Sequence, residues 1–187
     1  LLCPHIMVGA IGDATCDKAP LQVGQFEAGI EIEDDLTNIY LEGNGGGQQT
    51  ESYELAMYYL ANHTKMDCLD KRGKKGYLFI IGDEVPYNNV KKSEVKEVIG
   101  DDIQANIPVE KILEELEAKF TVFFVIPKRT QNYDDAKITN RWKELLGQNV
   151  LRLEDPAGIV ELIASTIGMQ EGKVEHTDVE GDLVDAG

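Results

Sequence analysis

No stretch of this sequence approaches the roughly 18–20 consecutive apolar residues needed to cross a bilayer, so no membrane partner is expected. The opening Leu1-Leu2-Cys3-Pro4 lacks the charged start and long apolar run of a signal peptide. Cysteine is scarce. Cys3, Cys16 and Cys68 are odd in number and at no metal-like spacing, which argues against a disulfide framework and for a reducing, cytoplasmic setting. His5, His63 and His176 are equally scattered, with none beside a cysteine at zinc spacing, and all read as ordinary residues. Positive charge is also short. Lys and Arg total 18 against 34 acids, a net charge of −16. Such a surface repels phosphate backbones, so nucleic acid is a poor partner, and it favours cations and basic protein surfaces. No G-x-S-x-G occurs, which removes the usual signature of a serine hydrolase.

What is present suits a globular protein. Hydrophobic residues make up 42% of the 187, enough for one domain with a real core. His5 to Gly12 is a short apolar run that predicts a strand, ending in the turn-like Asp13-Ala14-Thr15-Cys16-Asp17. Leu21 to Ile32 alternates weakly and predicts an edge strand or ribbon. A short helix is expected after Glu33-Asp34-Asp35. A glycine-rich stretch, Gly43 to Gln49, then precedes Thr50, read as the N-cap of a helix from about Glu51 to His63.

Lys71 to Gly76 reads as a solvated basic turn. Beyond it the pattern becomes regular. Tyr77–Ile81, Thr121–Ile126 and Val150–Leu153 are apolar runs of the kind covered on both faces of a parallel sheet. Between and after them lie helix patterns: one beginning at Pro108 with Val109, Ile112, Leu113 and Leu116 inward, one from Asp135 to Leu146, and one after Asp155-Pro156. The order β-α-β-α-β-α implies parallel strands and right-handed crossovers. The predicted fold is α/β, a Rossmann-like open sheet, mostly parallel with one antiparallel edge strand and helices on both faces. It spans residues 1–168, with 169–187 as an acidic mobile tail or linker.

Ligands of such sheets sit at the carboxyl ends of the strands. Two elements point there: Asp83-Glu84 after the strand Tyr77–Ile81, and the glycine stretch with Thr50 and Glu51. A carboxylate and a hydroxyl at one edge can hold a hard cation such as magnesium, which takes few protein oxygens and keeps several waters. An alternative is a nucleotide hydrolase, with Asp83-Glu84 ending an apolar strand and the glycine stretch as phosphate loop. That motif requires a lysine, and Gln48 and Gln49 stand before Thr50 instead.

The residues Gly45-Gly46-Gly47, Thr50-Glu51-Ser52-Tyr53-Glu54-Leu55-Ala56 and Phe79-Ile80-Ile81-Gly82-Asp83 together resemble a von Willebrand factor A-type (vWA) domain, most nearly those of bacterial and phage proteins. In vWA domains a metal-ion-dependent adhesion site is built from three loops: Asp-x-Ser-x-Ser after the opening strand, a Thr just before a helix, and an Asp after a central apolar strand. The resemblance puts Thr50 in the second loop and Asp83 in the third. No Asp-x-Ser-x-Ser occurs here, and its nearest imitation, Asp13 to Asp17, lies where the second strand should end. The resemblance therefore implies an opening strand and helix upstream. It further implies a non-enzymatic protein-binding module in which Mg2+ or Mn2+, held by Thr50 and Asp83 with Glu51 and Glu84 orienting its waters, lends a coordination position to an acidic group on a partner protein.

Overall fold

The computed structural model describes residues 4–42 and 47–173. The tail 174–187 and most of the glycine stretch, 43–46, lie outside the described residues, so the readings placed on them stay expectations. In chain order the elements are β1 (Gly9–Ile11), β2 (Leu21–Val23), α1 (Ile32–Asn38), β3 (Thr50–Glu51), α2 (Tyr53–His63), α3 (Asp67–Arg72), β4 (Gly76–Ile81), β5 (Val85–Pro86) and β6 (Asn89–Val90). There follow α4 (Lys92–Glu94), a π-helical turn (Val95–Ile99), β7 (Ile107–Pro108), α5 (Val109–Glu117), β8 (Phe120–Pro127), α6 (Ala136–Leu146), β9 (Val150–Leu153) and, after a 3-10 turn, α7 (Ile159–Gln170). The fold is mixed α/β with parallel strand pairing.

The chain divides into two compact units. The first comprises residues 1–74 and 84–119, the second 75–83 and 120–187. In the second unit β4, β8 and β9 form a three-stranded sheet in that order, with both pairings parallel. These are the three apolar runs expected to be parallel neighbours. Phe79 lies opposite Phe123 in the ladder, and their rings stack at 4.9 Å. Side chains alternate faces along a strand, so the next residue, Phe124, turns the other way and stacks on Trp142 of α6 at 3.7 Å. That helix buries Ile138, Trp142 and Leu146 at a spacing of four. Its start is fixed by Asp135, whose carboxylate accepts the Lys137 N–H at 2.8 Å. One expectation is corrected. Tyr77–Ile81 was to be covered on both faces, yet Ile80 alone of β4 is buried and Ile81 is 49% exposed. Among the described residues the strand ends the sheet order, with one hydrogen-bonded neighbour, and its apolar character exceeds its burial.

The core of the first unit is built on α2 and α5. Helix α5 follows its pattern, burying Val109, Ile112, Leu113 and Leu116. Helix α2 is different, because Tyr53 to Tyr58 are all buried, together with Leu60 and Ala61. A helix apolar on most sides must be enclosed, and this one is. Around these helices lie short ladders: β1 with β2 and β6 with β7 antiparallel, β3 with β5 parallel. The β1–β2 ribbon falls within the runs 5–12 and 21–32 expected to be strands, but with three residues each, and among the described residues it forms a sheet of its own and not the antiparallel edge of the parallel sheet. The helix α1 buries none of its residues.

Two local expectations change. Lys71 and Arg72 close α3 before Gly73, whose φ of +61° stops the helix; only the rest of the basic stretch is loop or strand. Thr50 does not cap α2. It lies in β3 opposite Val85, and the cap position belongs to Ser52.

Candidate functional site

In the first unit the turn after β1 carries Asp13, 3% exposed and the hub of a hydrogen-bond network. One carboxylate oxygen accepts the N–H and the hydroxyl of Thr15 at 2.8 and 2.7 Å. The other accepts the Tyr87 hydroxyl at 2.9 Å and the side-chain amide of Gln48. A carboxylate offers about four acceptor sites, so Asp13 is saturated by the protein itself. Burial works to raise its pKa, but the hydrogen bonds from Thr15, Tyr87 and Gln48 outweigh that and hold it below the ordinary value. Asp17 closes the turn by accepting the Asp13 N–H at 2.7 Å. Ser52, 1% exposed, accepts the Ala14 N–H at 2.9 Å and ties the turn to the start of α2.

The neighbouring strand β3 brings Thr50 and Glu51. Glu51 is poorly accommodated there. One of its carboxyl oxygens is buried without a hydrogen-bond partner. Burial, with the negative charges of Glu84, Asp13 and Asp17, pushes its pKa up to about 7. Glu51 and Glu84, expected to act together, are thus within electrostatic reach of each other, with Asp13 and Asp17 in the same niche. Sequence reasoning noticed Asp13 to Asp17 only as a turn and an imperfect motif. It missed Ser52 and Tyr87, whose roles depend on contacts 38 and 74 residues away in the chain.

Asp83 belongs to the second unit. Its carboxylate accepts the Asn132 N–H at 3.0 Å, which ties the turn after β4 to the loop after β8. Thr50 and Asp83 therefore fall in different units, and each is placed only within its own. Among the described residues no group of three or more His, Cys, Asp or Glu side chains is arranged to hold a metal ion.

Deeper in the first unit a second set of carboxylates appears. Glu54 of α2 is fully buried and accepts the Tyr87 N–H at 3.0 Å. Burial first, then Glu94, pushes its pKa up to about 8 against the relief from the Tyr87 N–H and Lys91. The Lys91 ammonium lies 2.6 Å from Glu94 and 4.6 Å above the Tyr87 ring. The clue in the sequence was a single acid inside the otherwise apolar run Tyr53 to Tyr58. His63, read as ordinary, meets Asp101 at 2.7 Å, and Asp101 also accepts the Tyr58 hydroxyl at 2.8 Å, an anchor for the end of α2.

Comparison with protein-family models, with curated proteins and with solved structures finds no match. Among the described residues no helix is long and apolar enough to cross a membrane.

Proposed function

We propose that this chain is a divalent-cation-assisted protein-binding module of the vWA type, and not an enzyme. The observation that carries the reading is Glu51: a carboxyl group with a buried, unpartnered oxygen, surrounded by the charges of Glu84, Asp13 and Asp17. Such a niche favours an added positive charge, a proton or a bound cation, and the vWA resemblance points to the cation. Asp13 has no acceptor site left, and Glu51 offers the open oxygen; Glu84 and Thr50 enter as the resemblance places them. With no three acids set around one point among the described residues, the ion would keep most of its water, as magnesium bound through one or two carboxylates does. A water on such an ion is replaceable by a carboxylate from a partner, which is the binding chemistry the vWA resemblance implies. Asp83 enters this reading through that resemblance alone.

Calorimetry tests it. Magnesium titrated into the full chain should bind saturably and weakly, and Glu51→Gln should abolish the heat while the far-ultraviolet circular dichroism stays unchanged. Thr50→Val should weaken binding by about tenfold, the worth of about 1.4 kcal/mol. Saturable ATP binding with phosphate release would replace this reading with the hydrolase.

A further inference from the structure

We propose that Glu54 and Glu94 form a buried one-proton site, with the proton on Glu54, which latches the Tyr87 turn onto helix α2. The inference stands apart from the cation reading and uses different residues.

Glu54 is 0% exposed and Glu94 is 8% exposed. Each keeps one carboxyl oxygen with no hydrogen-bond partner, Oε1 of Glu54 and Oε2 of Glu94. Their other oxygens are engaged. Glu54 Oε2 accepts the Tyr87 N–H at 3.0 Å, and Glu94 Oε1 pairs with the Lys91 ammonium at 2.6 Å. Buried polar atoms are nearly always partnered, so two orphans in one neighbourhood require an explanation.

Charge supplies it. The charged groups acting on Glu54 are Glu94, which opposes its ionisation, and Lys91, which favours it. Both come from the segment after β6. Helix α5, packed along α2, contributes the apolar side chains Val109, Ile112, Leu113 and Leu116 to the core. Two ionised carboxylates would face one ammonium and leave an excess negative charge in an apolar interior, where charge is expensive. One proton makes the group neutral. Placed on Glu54, it turns the orphan Oε1 from an acceptor into a donor and leaves Oε2 to receive the Tyr87 N–H. Placed on Glu94, it would weaken the 2.6 Å contact with Lys91.

The consequence is mechanical. Tyr87 is held at both ends, its N–H by Glu54 and its hydroxyl by Asp13. Loss of the proton puts a second negative charge beneath the turn. The interior then relaxes by admitting water or by releasing the segment, and the hold on Tyr87 weakens. The Asp13 turn is therefore linked to the proton through one side chain.

The test is infrared spectroscopy of the full chain, with amide exchange at Tyr87 measured on the same samples. At pH 7 the wild-type minus Glu54→Gln difference should contain a carboxylic-acid carbonyl stretch. It should vanish with a midpoint near pH 8, the value to which Glu54 is pushed. Protection of the Tyr87 amide, corrected for intrinsic exchange, should fall as pH rises toward about 8 and level above it in the wild type, and stay flat in Glu54→Gln. Glu94→Gln should keep the stretch and move its midpoint to lower pH, because the like charge that opposes ionisation of Glu54 is gone. Absence of the band at pH 7, its persistence in Glu54→Gln, or Tyr87 protection indifferent to the titration would overturn the proposal. Should Glu54→Gln fail to fold, the Glu94→Gln titration decides: a band that survives with a lowered midpoint keeps the proton on Glu54, and absence of the band at every pH above the ordinary carboxylate range places it on Glu94 and contradicts the assignment.

Discussion

Asp13 shows how completely a single acid can be used up by its own protein. Its acceptor sites take two hydrogen bonds from Thr15 and one each from Tyr87 and Gln48. Asp13→Asn puts an amide donor where donors already point, in whichever rotamer it adopts. The expected cost is about 2–3 kcal/mol, read from urea denaturation. Glu54 makes the opposite case. Its folded pKa of about 8 stands above the ordinary 4.5. As pH rises past 4.5 the unfolded chain releases this proton and the folded chain keeps it, so stability falls with pH until about 8 and then levels. Glu54→Gln should remove that fall and leave the variant more stable than the wild type at pH 8, by roughly 4–5 kcal/mol. Equal slopes of stability against pH in the two proteins would contradict this. Neither role was legible in the sequence. Asp13 looked like a turn residue and Glu54 like part of a helix, because their partners Tyr87 and Lys91 lie far along the chain.

Elements with strong local signals were legible. The α5 pattern named the four residues that are buried, and Asp135 and Gly147 bracket α6 as their chemistry predicts. The three apolar runs pair in parallel, as the helical crossovers between them require. What the sequence concealed was short. Strands β3, β5, β6 and β7 are two residues each, too brief for any periodicity, and they are what carries Thr50 away from the helix cap. The segment 87–107 read as merely polar, although Val90 and Val95 in it are fully buried.

Two changes test the elements. Trp142→Ala removes the ring stacked on Phe124 and should cost about 3–5 kcal/mol. Arg129, in the loop after β8, holds a φ of +76°, a left-handed conformation that costs a side chain roughly 1 kcal/mol. Arg129→Gly should therefore be neutral or stabilising by up to about 1 kcal/mol, whereas an ordinary surface Arg→Gly change in a strand or helix would destabilise. Denaturant midpoints at constant slope measure both.

At the scale of the molecule the governing fact is charge. A net charge of −16 means that salts such as sodium or magnesium chloride favour the folded state by screening self-repulsion, whether or not an ion binds. A gain in melting temperature with magnesium is therefore no evidence by itself. The vWA resemblance rests on the glycine stretch, Thr50 and Asp83, yet the structure concentrates the stressed acids at Glu51, in the first of two compact units. The measurement that addresses the central claim most directly is a thermal melt of the full chain in magnesium chloride against sodium chloride at matched ionic strength, for the wild type and Glu51→Gln. A bound ion should lift the wild-type melting temperature above the sodium series, with a further rise for every increment of magnesium, and Glu51→Gln should follow the sodium series in both salts. Coincident magnesium and sodium series in the wild type, or a magnesium-specific rise that survives in Glu51→Gln, would contradict the account.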